Sequence, residues 1–160
     1  LDIFALFPQQ TVIEFTTSYT LVNPSHTFKT ALNETFTIGT DAYFTSVPVG
    51  HQHGVAFEDD LTTGYFYAFR ANGEFVILDA LHIYNVSDVV LREHPCNLSV
   101  FWTADDQVAA LVINGYCHAI FDFNKKVGYC RNGFPDNRGE WRQTESRLLT
   151  DELIGSIFQK

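Results

Sequence analysis

The chain has 160 residues and a mass of 18.2 kDa, the size of one domain that buries roughly two-thirds of the surface its unfolded form exposes. Hydrophobic residues at 46% and charged residues at 18% exclude disordered, collagenous and low-complexity classes. Ten basic against nineteen acidic residues leave a formal charge of −9, which opposes a direct grip on nucleic acid.

Taken in chain order, Thr11 to Tyr19 is β-branched and aromatic and reads as a strand, and Asn23-Pro24-Ser25 as a turn. A weaker strand is expected around Thr35 to Ile38, a loop from Val47 to Gly50, and a strand from His51 to Phe57. Glu58-Asp59-Asp60 follows as an exposed acidic corner.

Two strand-like runs, Thr63 to Arg70 and Glu74 to Asn85, flank Asn72-Gly73. Asn-Gly favours a two-residue type I′ hairpin, which pairs Ala71 with Glu74. That register puts Phe66, Ala68, Ile77, Asp79 and Leu81 on one face. Tyr65, Tyr67, Phe69, Val76, Leu78, Ala80 and His82 take the other. A second hairpin, Gln107 to Ile113 with Tyr116 to Phe123, turns at Asn114-Gly115. One face holds Val108, Ala110, Val112, Cys117, Ala119 and Phe121; the other holds Ala109, Leu111, Ile113, Tyr116, His118 and Ile120. Both faces are largely apolar, which predicts a central position covered on both sides. Leu98 to Thr103 precedes it as a strand and Val127 to Arg131 follows, so the run reads as an antiparallel meander. Residues 128 to 139 carry many turn formers and predict an exposed loop.

The period then changes. Leu149, Leu153 and Ile157 recur every fourth residue beside Ile154 and Phe158. Thr150 suits an N-cap, and Asp151 and Glu152 suit the positive first turn. The expected fold is therefore α+β: a mainly antiparallel β meander, a curved sheet, with a C-terminal helix over residues 148–158 packed on it. No linker divides residues 1–160.

Two blocks carry a resemblance. One runs from Glu58-Asp59-Asp60 through Thr63-Gly64-Tyr65-Phe66-Tyr67-Ala68 and includes Leu78-Asp79-Ala80-Leu81-His82-Ile83-Tyr84-Asn85-Val86. The other joins Ile113-Asn114-Gly115-Tyr116, His118-Ala119, Phe121-Asp122-Phe123 and Gly128-Tyr129-Cys130-Arg131. Together, over residues 54–135, they resemble the small bacterial proteins of domain-of-unknown-function family 2251. Residues 1–50 look less familiar. The resemblance implies a bacterial origin and a compact intracellular domain, and it carries no catalytic residue.

Several constellations bear chemistry. His51-Gln52-His53 with Glu58 has alternate imidazoles on one strand face and a carboxylate further on, a pattern similar to the first motif of metal-binding cupins. The leading glycine and the second motif of cupins are missing, and the alternative is a solvated His-rich loop. This set would take one divalent metal, with His82 as a fourth ligand if the fold brings it over. Asp79, with His82 and Asp122, sits in apolar company and would have a raised pKa. It reads as a general acid/base or as a carboxylate paired with an arginine such as Arg131. Cys130 beside Arg131 could be an activated thiol if His118 or His82 reaches it; the other reading is an inert one. Three cysteines, Cys96, Cys117 and Cys130, without close spacing predict reduced thiols and a cytoplasmic setting. The first apolar stretch, residues 3–7, is far too short to span a membrane. The chain starts at Leu1 and contains no Met, which leaves open a trimmed start, a removed signal peptide included. No Walker loop, G-x-S-x-G, G-x-G-x-x-G or H-E-x-x-H occurs.

The last candidate is a surface. Glu58, Asp59, Asp60, Asp105 and Asp106 mark acidic corners at strand ends, with Tyr65, Tyr67 and Trp102 close in sequence. Acidic rims around aromatic anchors suit a basic protein. The leading expectation is a non-enzymatic protein-binding domain without a cofactor, such as an immunity protein neutralising a basic intracellular toxin. The alternative is a cupin-like metal-dependent enzyme or small-molecule binder on His51, His53 and Glu58.

Overall fold

A computed structural model describes residues 28–136 and 139–158. The expected strand at Thr11 to Tyr19 and the turn at Asn23-Pro24-Ser25 lie outside these residues. The first described strand, β1, runs Phe28–Phe36, earlier than the sequence suggests, and β2 is Ala42–Ser46. Then come β3 (His53–Asp59), β4 (Thr63–Ala71), β5 (Phe75–Asn85), β6 (Cys96–Thr103), β7 (Val108–Ile113), β8 (Tyr116–Asp122) and β9 (Val127–Cys130). Helix α1 spans Asp151–Phe158, and the Thr150 hydroxyl accepts the Leu153 N–H at 3.2 Å as its cap.

The nine described strands pair antiparallel in two sheets ordered β1-β6-β7-β8-β9 and β2-β3-β4-β5, and Cys130 of β9 adds one isolated parallel bridge to Leu148. The fold is α+β and mainly β, as expected, but the curved sheet is divided into two layers. Leu98, Val100, Trp102, Ala109, Leu111, Ile113, Ala119 and Phe121 meet Val55, Phe57, Phe66, Ala68, Leu78 and Leu81 in one shared core. Phe66 and Phe121 stack across the layers with ring centroids 5.1 Å apart. On the other side of the five-stranded sheet, Ala110, Val112, Cys117 and Ile120 bury Ile154 and Phe158 of α1. The hairpin β7–β8 is thus covered on both faces, as its apolar pattern predicts.

The two hairpins differ in how closely they follow their turn signal. Asn114 and Gly115 have φ values of 51° and 77°, and Ile113 pairs with Tyr116, the geometry of a type I′ turn. After two pairs His118 becomes an extra residue, and Leu111 pairs with Ala119. This bulge exchanges the expected faces: Ala119 and Phe121 join the inter-sheet core, and Ile120 meets the helix. At Asn72-Gly73 only Gly73 takes a positive φ, so the two-residue turn does not form. Ala71 pairs with Phe75 rather than Glu74. A bulge at Leu78 follows, leaving Asp79 opposite Ala68 and Ile77 exposed rather than inward.

The far edge of β5 is covered by the chain after β9. Leu78 O accepts the Trp141 N–H, and the His82 N–H donates to Phe134 O. Arg147 reaches over the same edge to Ala80 O at 3.2 Å. Side-chain and backbone contacts of this kind remove an open strand edge that would invite aggregation. The expected loop at 128–139 therefore begins only after Cys130.

Candidate functional site

The outer face of the four-stranded sheet is built by strand parity. Val55, Phe57 and Asp59 of β3 point inward, so Ala56 and Glu58 point outward. Register then aligns three strands: Tyr43 of β2 is opposite Glu58, and Glu58 is opposite Tyr65 of β4. Tyr67, two residues along, donates its hydroxyl to Glu58 Oε1 at 3.1 Å. Tyr65 and Tyr67 lie nearly parallel, with centroids 5.9 Å apart and planes at 18°. Tyr43 is exposed, and Glu58, Tyr65 and Tyr67 are half-buried. The result is one carboxylate ringed by three tyrosines on an open face. Burial and the adjacent Glu58 charge hold the Tyr67 hydroxyl protonated, far above the usual phenol range.

His82 of β5 extends this patch, its ring edge-on to Tyr65 at 5.4 Å. The Asn132 amide donates to His82 Nδ1 at 2.6 Å, so the ring proton lies on Nε2 and goes to Asn85 Oδ1 at 3.0 Å. Asn132 Oδ1 in turn accepts the Phe134 N–H. The imidazole is thus a held wall of the patch. Over residues 42–85 there are five acids, Glu58, Asp59, Asp60, Glu74 and Asp79, and one base, Arg70, giving −4. Arg70 is engaged with Glu140 at 2.8 Å. Among the described residues no cationic side chain pairs with Glu58.

The remaining predicted surface residues divide. Asp59 is a correction: it is fully buried, accepting the Gly39 N–H at 2.7 Å, the Leu61 N–H at 2.9 Å and the Tyr84 hydroxyl at 2.7 Å. Three donors satisfy a buried carboxylate internally, and none of it faces a partner. Trp102 is a second correction: it is a core residue whose indole donates to Ser46 Oγ at 2.9 Å. Asp60 is exposed but closes the β3–β4 turn through the N–H groups of Thr62 and Thr63, which hold its carboxyl below the ordinary range. Asp105 closes the β6–β7 turn, accepting the Thr103 hydroxyl at 2.6 Å and the Gln107 N–H. Asp106 pairs with Lys29. These two aspartates lie by His53, five residues and about 17 Å of strand from Glu58.

The structure does not assemble His51, His53 and Glu58. The histidine rings are 4.7 Å apart, and His51 Nε2 is 3.5 Å from Asp106 Oδ2. His53 bonds Asp106 O at 2.9 Å and stacks on Phe123 at 4.3 Å. His53 and Glu58 are an odd number of residues apart on an unbulged strand and point to opposite faces. Among the described residues no three His, Cys, Asp or Glu side chains converge on a metal position.

Asp79 is buried as its apolar neighbours predict, but its partner is Arg147, at 2.6 Å, not Arg131. Arg131 instead pairs with Asp151 at 2.9 Å and lies over the Tyr116 ring, 4.3 Å from its centroid. Burial pushes the Asp79 carboxyl upward, and Arg147 pulls part of that back. Cys96, Cys117 and Cys130 are free and buried, and burial raises each thiol, Cys117 to about 12. Cys130 donates to Asn132 Oδ1 and Phe134 O, so it is not the activated thiol that Arg131 suggested. Neither Tyr43 nor Arg147 stands out in sequence; the signal for Arg147 is a lone Asp inside an apolar strand, which demands a cation somewhere.

The chain is thus a two-layer antiparallel β protein with a helix on one face and an aromatic, carboxylate-centred patch on the other. Residues 36–158 match the family described as an uncharacterized protein conserved in bacteria, DUF2251, and the chain belongs to that family. It is similar to an uncharacterized protein of Haemophilus influenzae, 44% identical over 95 residues, which cover 57% of this chain and 58% of that relative. The chain thus matches a little over half the length of that curated relative. No solved structure matches. Among the described residues no helix is long and apolar enough to cross a membrane.

Proposed function

We propose that the chain is a non-enzymatic protein-binding domain that docks a basic protein on the outer face of its four-stranded sheet. The observation that carries this is Glu58 set among Tyr43, Tyr65 and Tyr67, with no cation paired to it among the described residues. Tyrosine supplies large, stiff contact area at low entropic cost, and a carboxylate at the centre of such a patch favours a positive partner. A formal charge of −9 adds long-range attraction. A bacterial domain of this size and charge suits an immunity protein that occludes a basic cytoplasmic toxin, such as a nuclease. Buried thiols of raised pKa fit this reading better than a catalytic one.

The test is two-component binding. Basic proteins recovered with the full chain from its host are purified and titrated against wild type, Glu58→Gln and Tyr67→Leu over a salt series. Nanomolar to micromolar binding that weakens steeply with salt, and at least ten-fold in each variant, supports the reading. Binding that neither salt nor these variants change refutes it.

A further inference from the structure

We infer that the Glu58 patch is a receiving site for an arginine side chain of the docked partner, in preference to lysine. The inference rests on the docking reading above and names the group that fills its centre. Tyr67 occupies one lone pair of Glu58 Oε1, and no other donor of the described residues pairs with the carboxylate. Its outward edge therefore accepts a charged fork. The rings of Tyr65 and Tyr67 are 5.9 Å apart, less than the roughly 7 Å that a planar group needs to slip between two aromatic faces. A cation must lie over a tyrosine face beside Glu58, and a flat guanidinium does this while bonding the carboxylate in its own plane. A compact, strongly hydrated ammonium gains less from the ring.

The same protein already builds this constellation from its own residues. Arg131 lies 4.3 Å above the Tyr116 ring and donates to the Asp151 carboxylate at 2.9 Å. Tyr65 and Glu58, cross-strand partners on an open sheet, offer a ring and a carboxylate that no arginine of the described residues engages.

The experiment uses amide-resolved NMR of the full chain at low salt, titrated with tetra-arginine amide and with tetra-lysine amide of equal charge. The expected result is shifts centred on residues 43, 58, 65 and 67, with tetra-arginine at least five-fold tighter. Tyr65→Leu is expected to reduce that preference below two-fold, and Glu58→Gln to weaken both peptides. All these side chains are on an open face, and retained spectral dispersion verifies folding of each variant. Equal affinity for the two peptides, shifts centred on the Asp105–Asp106 turn, or a preference surviving Tyr65→Leu would each overturn the inference. If arginine preference is absent but a salt-sensitive protein partner still requires Glu58, this inference alone falls. If neither peptide nor partner binds, the docking reading falls with it.

Discussion

Replacing Arg147 by Met keeps most of the side-chain volume and removes the cation, which isolates the electrostatics of the buried pair. Both side chains are almost wholly inaccessible, at 5% for Arg147 and 2% for Asp79, and their contact is 2.6 Å. Removing one partner of such a pair costs about 3–5 kcal/mol, because the other charge is left in low dielectric. Arg147 also donates to Pro135 O at 2.8 Å and to Ala80 O, so about 1–2 kcal/mol of any loss is ordinary hydrogen bonding. A cycle with Asp79→Asn separates the two, with a coupling energy of about 2–3 kcal/mol expected from urea unfolding. The pH dependence gives a second check. Without Arg147, folded Asp79 keeps its proton to higher pH than in wild type, whereas the unfolded value stays near 3.8. The folded variant then binds more protons than folded wild type, so its deficit shrinks as pH falls from 8 to 5. The cost of Arg147→Met on an Asp79→Asn background has no such slope. Additive single variants, or a deficit equal at pH 8 and pH 5, would refute the claim that charge pairing secures this edge.

Other expectations follow from single contacts. Tyr84→Phe leaves Asp59 with two donors and is expected to cost about 2 kcal/mol in urea unfolding, against no measurable change for Tyr43→Phe on the open face. Gly64→Ala places a methyl group 2.5 Å from the Tyr84 ring and is expected to destabilise by at least as much, by displacing the same hydroxyl. Thiol titration at pH 7.5 is expected to label no cysteine in the folded protein and three in urea, since all are buried with raised pKa. His118 is buried with its pKa depressed to about 3; the unfolded chain takes up that proton near 6.5, so stability is expected to fall as pH drops through that window, with the folded imidazole still neutral by NMR at pH 5.

Legibility followed the locality of the physics. Asn114-Gly115 gave its turn, its first two pairs and its two-sided burial because the signal is contained in adjacent residues and their alternation. The period change gave α1 and its Thr150 cap for the same reason. What escaped was each event that depends on remote packing. The bulges at Leu78 and His118 shift the register so that Asp79 meets Ala68, and Phe121 meets Phe66. No local pattern announces them, because the register is selected by what the opposite sheet offers. Arg147 as the partner of Asp79 is likewise a fact of topology, 68 residues away in sequence. For the site, Tyr65, Tyr67 and Glu58 were legible as neighbours in one acidic, aromatic block, whereas Tyr43 joined them only through pairing of β2 with β3.

Acidity in the sequence and acidity at the surface are different quantities here. Of the run Glu58-Asp59-Asp60, Asp59 is consumed by Gly39, Leu61 and Tyr84, and Asp60 by the turn that starts β4. Asp79 is spent on Arg147, Asp106 on Lys29 and Asp151 on Arg131. Each of these carboxylates already has the donors or cation that its position requires, so none has a strong appetite for a partner's charge. Glu58 is different because parity turns it outward, while its neighbour Tyr67 donates one neutral hydroxyl and contributes no charge. The same alternation that makes Asp59 structural therefore makes Glu58 available. A one-residue slip of β3 against β4 would exchange their roles, which ties the proposed docking chemistry directly to the register of the four-stranded sheet.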